Sequence, residues 1–155
     1  MGRKYKQGIY IPPESAKDKW IITEAFDMKE PGIKYRSSWE HKFCVFCSHN
    51  PYIVKANSEG TIVPYISPVD GKKHRYYIDY TIQMEDGRIF LVEVKPSTEC
   101  NPPKKPKKDT PKSNLNYQKS LQTYVINQAK WEAAKLFAIS MGATFIIITE
   151  KELGI

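Results

Sequence analysis

The stretch that most limits the fold is RYYIDYTIQMEDGRIFLVEVKP, residues 75–96. It reads as two apolar strands joined by MEDGR, in which Asp86-Gly87 is a strong hairpin-turn signal. Pro96 closes the second strand, because it has no amide to give a ladder. Side chains alternate across a strand, so Glu93 and Lys95 in VEVK point to one face. On the preceding strand Ile78, Tyr80 and Ile82 are expected on one face and Tyr77, Asp79 and Thr81 on the other. Pairing about the turn then brings Asp79 toward Glu93. Val or Thr would sit more comfortably in such a hairpin. Two carboxylates brought together repel, and one must titrate upward unless a cation lies between them. Mg2+ suits that place, since it prefers oxygen ligands and keeps several waters. Lys95 could then orient a bound water or offset negative charge growing on a phosphate. A solvent-facing strand edge would show the same alternation, with Glu and Lys simply outside. On the hairpin alone, both readings stay open.

The remainder of the chain supplies a frame for the hairpin. Its 155 residues suit one domain, 1–155. Residues 1–34 are polar, basic and proline-bearing, and read as an arm lying on a core of 35–155. YRSSWEHKFCVFCSHNP has helical spacing and stops at Asn50-Pro51. Residues 52–66 alternate like strands and break at Glu59-Gly60; SPVDGKKH is turn chemistry. Residues 97–114 read as loop, and a long amphipathic helix is expected over about 115–141. Gly142 would cap that helix, and TFIIIT reads as a buried parallel strand. The order α-β-β-β-α-β implies a mixed sheet with helices on both faces, hence α/β or α+β.

Charge narrows the partner. Lys and Arg number 24 against 17 acids, a formal net charge of +7. Such a balance favours a polyanion, nucleic acid first. The segment NPPKKPKKDTPK spaces Lys104, Lys105, Lys107, Lys108 and Lys112 with prolines that forbid a helix. It is either a phosphate-contacting loop or a solvated connector, and its place just after Lys95 favours the first. Lys130 on the long helix is a further candidate DNA contact. Cys44 and Cys47 form a single C-x-x-C inside an apolar helical pattern, which reads as core thiols in a reducing compartment. His41, His49 and His74 lack zinc-ligand spacing, and Tyr76, Tyr77 and Tyr80 read as packing. No apolar run approaches a membrane span, so no membrane partner is expected.

Asp79, thirteen intervening residues and then EVK together resemble the PD-(D/E)XK nuclease signature, with Ile78 where a proline often stands. In such folds a helix before the hairpin gives a further Glu, and YRSSWE supplies Glu40. More specifically, YRSSWE, PYISPVDGKKHRYYIDY, VEVKP, PPKKPKK and NQAKWEAA…ITEKELG resemble, in order, the head-completion nucleases of T-even-like phages. These are similar to TnsA-type transposon endonucleases, which carry Gln where Glu93 stands. The similarity runs from about KYKQG to the C-terminus. It implies a restriction-endonuclease-like α/β core with a mixed central sheet, and a Mg2+-dependent DNA endonuclease in which Mn2+ substitutes. Glu40, Asp79, Glu93 and Lys95 would be catalytic, and Asp79, Glu93, Glu40 and the Val94 carbonyl would hold the metal. DNA and phage head or portal proteins would be the partners, in the host cytoplasm during assembly or on the virion. A transposon or repair endonuclease of the same fold, or a non-catalytic DNA-end or capsid protein retaining it, is the alternative. Glu40 has a purely local reading too: SSWE from Ser37 is a capping box.

Overall fold

The computed structural model describes residues 7–21 and 32–154. In chain order, β1 (Gly8–Tyr10), β2 (Trp20–Ile21) and β3 (Ile33–Tyr35) lead into α1 (Ser38–His49). Five strands follow: β4 (Ile53–Ser58), β5 (Ile62–Ile66), β6 (Lys73–Tyr77), β7 (Tyr80–Met84) and β8 (Ile89–Val94). Then come α2 (Pro111–Ser140), β9 (Thr144–Ile148) and the short α3 (Glu150–Leu153).

The central sheet runs β2-β4-β7-β8-β9. Its outer pairs are parallel and its inner pairs antiparallel, which is the mixed sheet the element order implies. Strand β8 sits between β7 and β9 with apolar side chains on both faces. Val92 and Val94 join Phe43, Cys44 and Cys47 of α1, whereas Leu91 joins Trp131, Ala134 and Ala138 of α2. A strand covered on both faces needs such a continuous apolar run. Cys44 and Cys47 are buried free thiols, as their helical spacing implies. Burial pushes the Cys44 thiol up to about 12, so it has no thiolate chemistry near neutrality. Among the described residues, no helix is long and apolar enough to cross a membrane.

The opening hairpin differs from its expected form in one consequential way. RYYIDYTIQM alternates like a single strand, yet the structure divides it at Ile78 and Asp79. Strand β6 pairs with β5 in a separate two-stranded sheet, while β7 pairs with β4 and β8. The Ile78 amide bonds to the Thr61 carbonyl (3.0 Å), and the Glu59 amide bonds to the Asp79 carbonyl (3.1 Å). Glu59 takes a left-handed φ of 54° at this change of sheet. Ile78 and Tyr76 therefore pack on the α2 side, and Tyr80 and Ile82 on the α1 side. The expected common face of Ile78, Tyr80 and Ile82 does not form. Asp79 is left at the break, one step beyond the Tyr80–Val92 pair and hence level with Glu93.

Two further boundaries shift. The described part of the N-terminal arm is woven into the domain: β1 pairs with β3, β2 with β4, and Tyr10 and Trp20 enter the α1-side core. Tyr10 and Trp20 both donate to the buried Ser48 hydroxyl, at 2.7 and 3.1 Å. Residues 1–6 and 22–31 lie outside the described residues, Lys4 and Lys6 among them. The long helix begins at Pro111, with Thr110 as N-cap accepting from the Ser113 amide (3.2 Å). Thr-Pro is a good start signal, because proline at the first helical position gives up an amide that has no partner anyway. Lys112 thus stands on the first turn of α2, not in the loop. Gly142, at φ 74°, ends the helix as expected.

Candidate active site

Glu93 is 6% exposed, and among the described residues it is the only buried charged side chain. A buried carboxylate is costly unless donors or a cation meet it. Here the Tyr76 hydroxyl donates to Oε2, and the Lys95 ammonium lies 3.7 Å from Oε1. Asp79 reaches the same strand end, where its Oδ2 accepts the Val94 amide at 2.9 Å. Burial holds the Asp79 carboxyl well above the usual carboxylate range, and the negative charges of Glu93 and then Glu40 push the same way. The Val94 amide and Lys95 oppose that push without cancelling it. A pair of acids in this state favours an added cation, which would relieve both desolvation and repulsion.

Glu40 stands on the first turn of α1. The Ser37 hydroxyl accepts the Glu40 amide (3.2 Å) as a helix cap and lies 3.4 Å from its carboxylate. The carboxylate meets the cap's hydroxyl and not the Ser37 amide, so only the Ser37 half of the expected capping box forms. Glu40 lines a cleft of about 650 Å3 with Arg36, Val94 and Lys95. Burial raises the Glu40 carboxyl, offset in part by Ser37. Among the described residues, no three His, Cys, Asp or Glu side chains cluster as a metal-binding group. Glu40 is felt by Asp79 through its charge. The Val94 amide is taken by Asp79, and Val94 itself lines the cleft. Glu40→Gln is expected to slow cleavage about 10- to 100-fold, as loss of an indirect metal-site contact does. Gln can replace Glu in a cap, so the melting temperature should not move. Wild-type turnover would leave Glu40 with helix capping alone.

The basic residues divide. Lys104, Lys105, Lys107, Lys108 and Lys112 are all exposed, and none lines the cleft. Lys104 instead borders a shallower hollow of about 290 Å3 with Pro103, Pro106 and Tyr117. Lys130 does not simply face water. Its ammonium lies 5.5 Å from the Tyr76 ring centroid and 5.9 Å from that of Tyr65. Burial lowers its pKa, while Glu93 and Asp79 raise it. That places Lys130 beside the carboxylates.

Three participants escape a reading of the sequence. Tyr76 looks like packing, and only its place three residues before Asp79 hints otherwise. Arg36, on the cleft wall, pairs with Glu59 at 3.2 Å. Glu150, at the start of α3, accepts from the Ser97 amide at 2.9 Å and also from its hydroxyl. It fixes the chain directly after Lys95-Pro96, while the Lys95 amide bonds to the Ile148 carbonyl (2.9 Å).

The model of the TnsA-like endonuclease N-terminal family matches residues 50–150. That span takes in Asp79, Glu93, Lys95 and Lys130 and leaves Glu40 outside. The chain is also similar to the head completion nuclease of Enterobacteria phage T4. The two are 36% identical over 118 residues, which cover 76% of this chain and 79% of that protein.

Proposed function

The chain belongs to the TnsA-like endonuclease family, and on that premise we propose that it cuts DNA by Mg2+-dependent phosphodiester hydrolysis in phage head completion. The observation that carries the reading is the juxtaposition of Asp79 with the buried Glu93, with Lys95 3.7 Å from Glu93. Asp79 and Glu93 would hold the ion, with the Val94 carbonyl as a further oxygen and Glu40 acting through water. Bound Mg2+ would supply a Lewis acid and lower the pKa of water. Lys95 would orient the attacking water and offset charge gathering on the phosphate, from a cleft wall where its backbone amide is held by the Ile148 carbonyl and the following Ser97 by Glu150. The cleft above it would admit the DNA backbone. Water would displace the leaving oxygen in line, with no covalent intermediate on the protein. Mn2+ would substitute for Mg2+. Work in the host cytoplasm during head assembly, against head or portal proteins, follows from the same proposal.

Purified protein with single-stranded, flapped and duplex DNA tests it. Cleavage of at least one substrate with Mg2+, lost in EDTA and restored by excess Mg2+, is the expected result. Undiminished cleavage in EDTA would remove the metal from the reading.

The exposed lysines would hold the DNA backbone rather than act in chemistry. Each phosphate contact releases condensed counterions, so log affinity should fall with log salt by about 0.9 per contact on duplex and about 0.7 on single strands. Replacing Lys104, Lys105, Lys107 and Lys108 by Gln is expected to flatten that slope by roughly two to four contacts' worth. Turnover at saturating DNA should change far less. An unchanged slope would make the segment a solvated connector.

A further inference from the structure

Each carboxylate of the pair has one oxygen already engaged by the chain. The Val94 amide donates to Oδ2 of Asp79 (2.9 Å), and the Tyr76 hydroxyl donates to Oε2 of Glu93. Oε1 of Glu93 is left facing the Lys95 ammonium at 3.7 Å. Tyr76 is 5% exposed and comes from β6, so its hydroxyl approaches Glu93 from the α2 side of the sheet. Lys130 lies against the Tyr76 ring from α2, 5.5 Å from its centroid. A cation on the ring draws electron density from the phenol and makes its O–H a stronger donor. A phenylalanine would fill the same apolar space among Val63, Ile78 and Trp131, so packing does not call for the hydroxyl. The hydroxyl serves Glu93.

Cations differ in what they ask of a carboxylate. Ca2+ gathers six to eight oxygens and often takes both from one carboxylate, whereas Mg2+ is held by one or two carboxylates and keeps waters. Resting on the metal site proposed above, we infer that Tyr76 is a positioning residue. Its hydrogen bond makes Oε2 of Glu93 the poorer ligand, disfavours two-oxygen binding, and so biases the site toward Mg2+ over Ca2+.

Calorimetric titration of the full chain without DNA, with Mg2+ and separately with Ca2+, tests this in wild type, Tyr76→Phe and Glu93→Gln. Tyr76→Phe keeps the ring and removes one atom. Its Mg2+ Kd is expected to weaken about tenfold, the low end of what outer contacts to metal ligands contribute. Its Ca2+ Kd should hold or tighten, so the preference for Mg2+ over Ca2+ falls about tenfold or more. Glu93→Gln should lose both ions. Wild-type binding of both ions by Glu93→Gln would overturn the metal site itself, and the inference with it. Loss of binding in Glu93→Gln with a wild-type preference in Tyr76→Phe would overturn the role of Tyr76 alone. Should near-UV circular dichroism show Tyr76→Phe unfolded, the wild type itself decides through the infrared carboxylate bands that Glu93→Gln removes. With Mg2+ those bands should show one-oxygen ligation by Glu93, and a two-oxygen pattern would overturn the inference equally.

Discussion

Asp79→Asn is expected to lower cleavage by on the order of 10^3-fold or more, while the melting temperature in the absence of metal holds or rises. The two halves of this result have different causes. Activity falls because the neutral amide oxygen attracts a divalent cation far more weakly than a carboxylate does. Stability does not fall, because Asn keeps an acceptor for the Val94 amide, which bonds to Asp79 at 2.9 Å. The substitution also removes a charge that burial and the neighbouring Glu93 and Glu40 both disfavour. A carboxylate retained only for structure would behave the other way, with lost stability and kept activity. Added Mg2+ should raise the melting temperature of the wild type, since an ion held by this pair would stabilise the folded state alone, and should leave Asp79→Asn unmoved. Full Mg2+-dependent cleavage by Asp79→Asn would remove this carboxylate from the mechanism.

Lys95→Ala separates chemistry from metal binding. Its ammonium is 3.7 Å from Glu93 and its residue lines the cleft. Removing one such preorganised charge is expected to slow cleavage about 10^2- to 10^3-fold. Mg2+ affinity should be kept or tightened, because Lys95 offsets the same negative charge that attracts the ion. Calorimetry showing lost Mg2+ affinity in Lys95→Ala would contradict the role assigned to it.

Local chemistry made much of this architecture legible. Asp86-Gly87 turns the hairpin, Gly142 ends the long helix, and TFIII forms the parallel strand beside β8. Each is set by backbone preferences within a few residues. The pairing of Asp79 with Glu93 was legible for the same reason, since the turn sets the register. The break at Ile78 was not. Ile78 and Tyr80 alternate as one strand would, and what separates them is distant: β5 claims one half and β4 the other. That long-range choice is also what aims Tyr76 at Glu93, so its role was hidden with it. Trp20 and Tyr10 sit in a polar, basic stretch, and they turn inward to pack in the α1-side core and donate to the buried Ser48 hydroxyl. Lys130 illustrates the opposite limit. A helix spacing told its face only roughly, and the rings of Tyr65 and Tyr76 decide that it lies against the site.

The proposed chemistry depends first on where the cation binds. Crystals of the active protein grown with Mn2+ can be measured at a wavelength where manganese scatters anomalously. The expected anomalous peak lies against the free oxygens of Asp79 and Glu93, beside Val94 and absent in crystals of Asp79→Asn. A strong peak at other residues with none at this pair, from protein whose cleavage depends on Mn2+, would contradict it.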